Sequence, residues 1–226
     1  MRLLLIRHGQ TPNNVVGALD TAFPGAGLTE LGHTQARAVP AALADEPIAG
    51  LYASRLVRTQ LTAAPLAEAR GLEVVVRDGL EEISAGDLEM RSDLDSVKAY
   101  AGSVGAWLEG DLDHRVPGGP SGREFRERYD AAVREIAAAH GPDDTVAVVS
   151  HGAAIRAWST LAAGIDPDTA TELFLRNTGL SVVAGSPDGG WRLERWSSDP
   201  LGGPGLAGEH AHDVTGESAD EVAEEE

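Results

Sequence analysis

"LLLIRHGQT", residues 3–11, sets a four-residue apolar run directly against Arg7, His8 and Gly9. A short continuous apolar run, with no polar residue in alternation, reads as a strand covered on both faces of a sheet. Its abrupt polar end then marks the carboxyl edge of that sheet, where open α/β sheets hold their ligands. The pattern recurs along the chain. "TVAVVS" at 145–150 runs into His151 and Gly152, and "AGLYA" at 49–53 runs into a loop carrying Arg55 and, one helical turn on, Arg58. "EVVVR" at 73–77 leads to the adjacent acids Glu81 and Glu82.

Two further strands are expected at 180–185 and 191–196, and helices near 29–45, 55–70, 93–109, 122–140 and 153–164. The helix after Ser121 is the best marked. Ser121 and Glu124 form a capping box, and Phe125, Tyr129, Ala132, Val133 and Ile136 repeat on one face. Pro40 is expected to kink or shorten its helix. Strands alternating with helices predict an α/β domain, a three-layer α/β/α sandwich with a mostly parallel central sheet.

Composition narrows the function. The 226 residues, 42% of them hydrophobic, suffice for one sizeable core. With no cysteine, a disulfide scaffold, a thiolate nucleophile and a cysteine-based zinc site are excluded. No apolar run is long enough to span a bilayer or form a signal-peptide core, so a cytoplasmic protein without membrane attachment is expected. The net charge of −18 argues against nucleic acid as a partner, because such binding neutralises phosphates with Lys and Arg. Eight acids between Glu209 and Glu226, with no Lys or Arg among them, hold −8 of that charge. The folded domain is therefore expected over 1–197 and an acidic, disordered tail over 198–226. His210 and His212 in that tail are read as solvated residues rather than metal ligands.

Each strand-end residue alone has an ordinary explanation, a loop histidine or a solvated arginine. Together they specify an anion. Arginine offers fixed, permanently charged donors to phosphate oxygens, and histidine is able to act as a nucleophile or donor near neutral pH. Arg7 and Arg58 beside His8 oppose a second positive charge there, which keeps a lone pair available for attack on phosphorus.

Arg7-His8-Gly9, the "SRLVRTQ" segment, Glu82 four residues before Gly86, and the late "SHG" resemble the histidine phosphatase superfamily, the phosphoglycerate mutase-like fold, over roughly residues 1–197. That resemblance implies His8 as the nucleophile that becomes a phosphohistidine. Arg7, Arg58 and His151 would complete the phosphate pocket, with Asn14 as a further phosphate contact. Glu82 would be the acid that protonates the leaving oxygen and then the base for water, its pKa raised by the bound phosphate. Glu81 is assigned to the surface or to orienting Glu82.

The chain departs from the family pattern at Gln10, where Glu is frequent, at Met90, where a glycine is frequent, and at Pro120, where Glu is usual. "LDTAFPGAGLTELG" after Asn14 is long and is expected to form a loop over the pocket. Asp20, Thr21, Phe23, Trp107, His114 and Arg115 are possible substrate contacts, each better explained by packing or surface; His33 and His140 read as helix-surface residues. Only 69 positions separate Glu82 from His151, a compact segment that favours a metal-independent phosphatase without cofactor, acting on a small phosphorylated metabolite, over a mutase. A non-catalytic phospholigand-binding module is the third reading, and the oligomeric state is left open.

Overall fold

The computed structural model describes residues 1–208. Six strands, β1 (Arg2–Arg7), β2 (Ile48–Ala53), β3 (Val74–Val76), β4 (Thr145–Ser150), β5 (Leu180–Ser186) and β6 (Gly190–Ser197), form one sheet in the order β3-β2-β4-β1-β5-β6. The first four run parallel, and β5 and β6 are added antiparallel. The sheet is thus mixed, with its parallel part where the sequence places the polar strand ends.

Alternation along β1 divides the core. Leu3 and Leu5 face one cluster, and Leu4 and Ile6 face the other. The Leu4 side is covered by α2 (Glu30–Ala42) and α3 (Val57–Arg70), which contribute Val39, Ala63 and Leu66. The Leu3 side is covered by α4 (Leu94–Leu108), α5 (Gly122–Ala138) and α6 (Gly152–Ala163), which contribute Trp107, Tyr129 and Trp158. All four residues of the opening run are fully buried, as the unalternating pattern requires. The α5 capping box is present, and Pro40 lies in the last turn of α2, which ends two residues later.

Two short helices escaped the periodicity. In α1 (Pro12–Val15) Thr11 and Asn14 cap each other reciprocally, and in α7 (Pro167–Glu172) Asp166 caps and Pro167 occupies the first turn. Both are too short to show an apolar face. The expected end of the folded part at 197 also needs correction. Leu201 packs against the Leu4-side core, and Gln35 donates through Nε2 to the Leu206 carbonyl at 2.9 Å, so the chain stays packed to at least residue 206. The acids 209–226, with His210 and His212, lie outside the described residues. Among the described residues no helix is long and apolar enough to cross a membrane.

Candidate active site

Parallel register explains how two histidines 143 positions apart come to meet. Arg7 on β1 lies opposite Ser150 on β4, so the next residue of each strand, His8 and His151, leaves the sheet beside the other. The His8 N–H donates to the Ser150 carbonyl at 3.0 Å, and the two imidazoles meet edge-on with centroids 5.2 Å apart. On the far side of β4, Ala53 lies opposite Val149, which brings Ser54 and the start of α3 to the same edge.

Glycine at position 9 serves close packing of backbone. A Cβ there would lie 2.6 Å from the Gly32 carbonyl oxygen at the start of α2, and a Cβ on Gly32 would lie 2.1 Å from the Gln10 carbonyl oxygen. Neither glycine tolerates a side chain without a backbone shift. The Gly9 N–H donates to Thr62 Oγ1 at 2.9 Å, anchoring the loop to α3 as well.

His8 is held in one tautomer. Its Nδ1 lies 2.8 Å from the Gly9 carbonyl oxygen, which only accepts, so Nδ1 carries the proton and the lone pair of the neutral ring is on Nε2. Burial pushes the His8 pKa well below the ordinary histidine value, and the positive charges of Arg58 and then Arg7 push it in the same direction. Sequence reasoning found the two cations but not the larger cause, burial, which follows from the loop being packed under α2 and α3.

His151 is likewise fully buried and shifted well down, by burial first and then by Arg58. Its Nε2 is 2.8 Å from Ser54 Oγ, while its Nδ1 is buried with no protein partner. Ser54 donating to Nε2 leaves an uncharged His151 with Nδ1–H, a donor suited to an anion. Ser54 had no motif to announce it beyond a polar residue following the apolar β2.

Arg58, in the first turn of α3, is 2% exposed. Its Nη2 donates to the Asp20 carbonyl oxygen at 2.8 Å and its Nη1 lies 3.5 Å from the Asp20 carboxylate, while its Nε is buried without a partner. Burial lowers its pKa, and the Asp20 and Glu82 charges oppose that shift. Arg7 is fully buried and donates through Nη1 to the Leu175 carbonyl at 2.8 Å. Asn14 is fixed by its own partners. Its Oδ1 accepts from the Thr11 N–H, the Thr11 hydroxyl and Asn177 Nδ2, which sets the amide orientation and keeps Nδ2 as the remaining donor.

Glu82 sits at the N-terminus of α6. Its carboxylate accepts from the N–H groups of Ala154 and Ile83 at 2.8 Å each and of Ala153 at 3.2 Å. Burial raises its pKa, although the Ile83 and Ala154 N–H groups, Arg58 and Arg7 all favour the ionised form. A proton is therefore held more tightly than by an ordinary glutamate. Glu81 corrects the surface expectation. It is buried between Arg55 at 3.0 Å and Arg128 at 2.9 Å, and Arg128 also donates to the Glu81 and Glu82 carbonyls, which fixes the backbone carrying Glu82.

The other residues considered fall into place. Trp107 is fully buried, stacked on Phe125 with centroids 5.8 Å apart, and Arg115 pairs with Glu124. His114 lies 3.3 Å from Ser103 Oγ, and His33 is half-buried in α2. His140 is not a surface residue: its Nε2 is 2.9 Å from Tyr52 Oη and its ring fills the space beside Gly50. The loop after Asn14 does reach the site, through Asp20 on Arg58 and through Gly25, where a Cβ would lie 2.4 Å from Arg58 Nη1. Missed entirely was the segment around Asn177 and Thr178. Asn177 Nδ2 and the Thr178 N–H donate to the His8 carbonyl, and the Thr178 N–H also donates to the Arg7 carbonyl. Thr178 holds φ at 58°, a costly conformation for a β-branched residue, to do so.

A neutral imidazole with an available lone pair, a ring of cationic and N–H donors, and a carboxyl group that retains its proton thus share one edge of an α/β sheet. Fold and site together define an α/β enzyme with the phosphoglycerate mutase-like architecture. The chain belongs to the histidine phosphatase superfamily (branch 1), whose pattern it matches over residues 3–199. It is 38% identical over 215 residues to PE-PGRS family protein PE_PGRS11 of Mycobacterium tuberculosis, an alignment spanning 87% of this chain but 36% of that protein. It is 33% identical over 184 residues to the probable phosphoglycerate mutase GpmB of Erwinia tasmaniensis, covering 81% and 84% of the two chains. The mycobacterial glucosyl-3-phosphoglycerate phosphatase, solved with VO3, superposes with a TM-score of 0.74 at 31% identity, over 88% of this chain and 99% of the other.

The pKa directions set a pH profile for any reaction in which His8 attacks while Glu82 donates. His8 must be unprotonated and Glu82 protonated. The acid limb of kcat/KM then falls below pH 6.5, the ordinary histidine value, and the alkaline limb above pH 4.5, the ordinary glutamate value. Rates measured from pH 3 to 9, corrected for the substrate's own second ionisation, check this. An acid limb at or above 6.5 would show that His8 is not kept neutral.

Proposed function

We propose that the protein hydrolyses a small phosphomonoester, without metal, through a phosphohistidine on His8. His8 Nε2 forms a bond to phosphorus as the bond to the ester oxygen breaks, and Glu82 gives that oxygen its proton. Water then attacks phosphorus, Glu82 takes the proton back, and the N–P bond breaks to release inorganic phosphate. Arg7, Arg58, Asn14 and the Nδ1–H of His151 stabilise the charge spread over the equatorial oxygens in both steps. Binding alone has no use for both a nucleophile and a retained proton.

One observation carries the reading: a lone-pair nitrogen and a proton-retaining carboxyl are buried in one electrostatic neighbourhood with two arginines, each acting on the pKa of the others. Release of p-nitrophenol from p-nitrophenyl phosphate in the presence of EDTA is the expected result. A panel of phosphorylated metabolites would then rank substrates. Absence of release from all of them would favour a binding module, and isomerisation of 3-phosphoglycerate with a bisphosphate primer, without net phosphate release, would favour a mutase.

A further inference from the structure

Large apolar side chains left in water are unevenly placed on this protein. Among the described residues six are exposed, and five of them, Val15, Val16, Phe23, Met90 and Leu94, fall in two short segments; the sixth, Val76, is on the edge strand β3. The two segments are tied together. The Met90 N–H donates to the Leu19 carbonyl and the Leu19 N–H to the Arg91 carbonyl, both at 2.9 Å. They are also tied to the site. Val15 follows Asn14 in α1, Asp20 holds Arg58, and the Thr21 hydroxyl accepts from the Ala85 N–H, three residues past Glu82. The five side chains thus form an apolar collar around the entrance to the His8 pocket.

Charge at the collar is spoken for. Residues 15–23 contain no Lys or Arg, and Arg91 on the other segment pairs with Asp93 at 2.8 Å. Arg55, whose guanidinium lies 5.5 Å from the Phe23 ring centroid, is engaged by Glu81. The acids nearby, Asp20 and Glu89, would repel a substrate carboxylate. Met90 adds an independent sign. It stands at φ 61°, a conformation natural to glycine, and yet presents a side chain 54% exposed to solvent. A strained residue whose side chain packs into nothing invites a functional explanation.

We propose that the collar receives the apolar group of the phosphoester, so that the preferred substrates are alkyl or aryl monophosphates without a carboxylate near the phosphate. This rests on the phosphatase reading above and names its substrate class. The phosphate is gripped by the polar floor, and Val16, Phe23 and Met90 close over the first few carbons of the alcohol, the usual division between an apolar wall and a few fixed polar groups.

The test is a series of ethyl, butyl and hexyl phosphates, whose leaving groups have nearly equal basicity. For the wild-type protein kcat/KM should rise about two- to fourfold per methylene, the upper figure corresponding to the ~0.8 kcal/mol of a fully buried methylene. 3-Phosphoglycerate and O-phosphoserine should be at least roughly tenfold poorer than hexyl phosphate. Phe23→Ser and Met90→Gly should flatten the series while turning over ethyl phosphate as the wild type does; the glycine variant also removes the strain, so its folding is secure. A flat wild-type series with ethyl phosphate still hydrolysed, or a slope unchanged in both variants, overturns the substrate class and leaves the phosphatase reading standing. A flat series together with dimerisation that Phe23→Ser abolishes would instead give the collar to a second copy of the chain. If no phosphoester is hydrolysed, p-nitrophenyl phosphate included, the phosphatase reading fails and this inference falls with it.

Discussion

His8→Ala should reduce turnover of p-nitrophenyl phosphate by about 10⁴-fold or more, the scale seen when an enzyme loses its nucleophile, while leaving a folded protein. The side chain makes a hydrogen bond only to its neighbour's carbonyl, and it is buried beside two cations that disfavour its charge. Removing it therefore breaks no long-range contact among the strands. Its backbone remains fixed by the N–H donated to Ser150 and by the bonds its carbonyl accepts from Asn177 and Thr178. Thermal unfolding followed by circular dichroism separates loss of fold from loss of chemistry. Rapid quenching of the wild type during turnover should trap an acid-labile phosphate on the protein, absent from the variant. A His8→Ala protein with more than a tenth of wild-type activity would remove the covalent step.

That experiment probes the part of the molecule most open to sequence reading, and the reason is physical. A strand covered on both faces has no choice but a continuous apolar run, so Leu3–Ile6 and Val146–Val149 disclose themselves and their polar ends with them. Parallel strands of equal length then bring those ends to one edge, so His8, His151 and the segment leading to Arg58 are placed by a few residues of pattern each. The partners that hold these groups leave no such trace. Ser54 against His151, Arg128 behind Glu81 and Glu82, and Asn177 under His8 are single polar side chains in loops or on a helix face, 97, 46 to 47 and 169 positions from what they touch. Polar contacts of that range have no periodicity to betray them. The packed segment after 197 escaped for a related reason. Its glycines and prolines read as a linker, and a lone Leu201 meeting the core is invisible without the sheet.

Glu82→Gln should sort substrates by the basicity of their leaving group. An alkoxide cannot depart without a proton, so hydrolysis of an alkyl phosphate should fall by about 10²- to 10⁴-fold, the range of general-acid catalysis. p-Nitrophenolate leaves readily unprotonated, and the first step on that ester should lose about tenfold or less, because the acid has little left to contribute. The second step still needs a base to take the proton of water, and glutamine supplies none. Phosphoenzyme should therefore accumulate, seen as a burst of p-nitrophenol near one equivalent followed by a slow steady rate. Glutamine keeps the shape of the side chain, and its oxygen continues to accept from the Ile83 and Ala154 N–H groups, although its amide then faces the Ala153 N–H at the position of the second carboxylate oxygen. That misfit costs about 1 to 3 kcal/mol of stability and leaves His8 and the arginines in place. The alkaline limb of the pH profile should vanish with the titrating proton. Equal losses on alkyl and p-nitrophenyl phosphates, with no burst, would show that Glu82 orders the site and does not move protons, and the acid would have to be sought elsewhere.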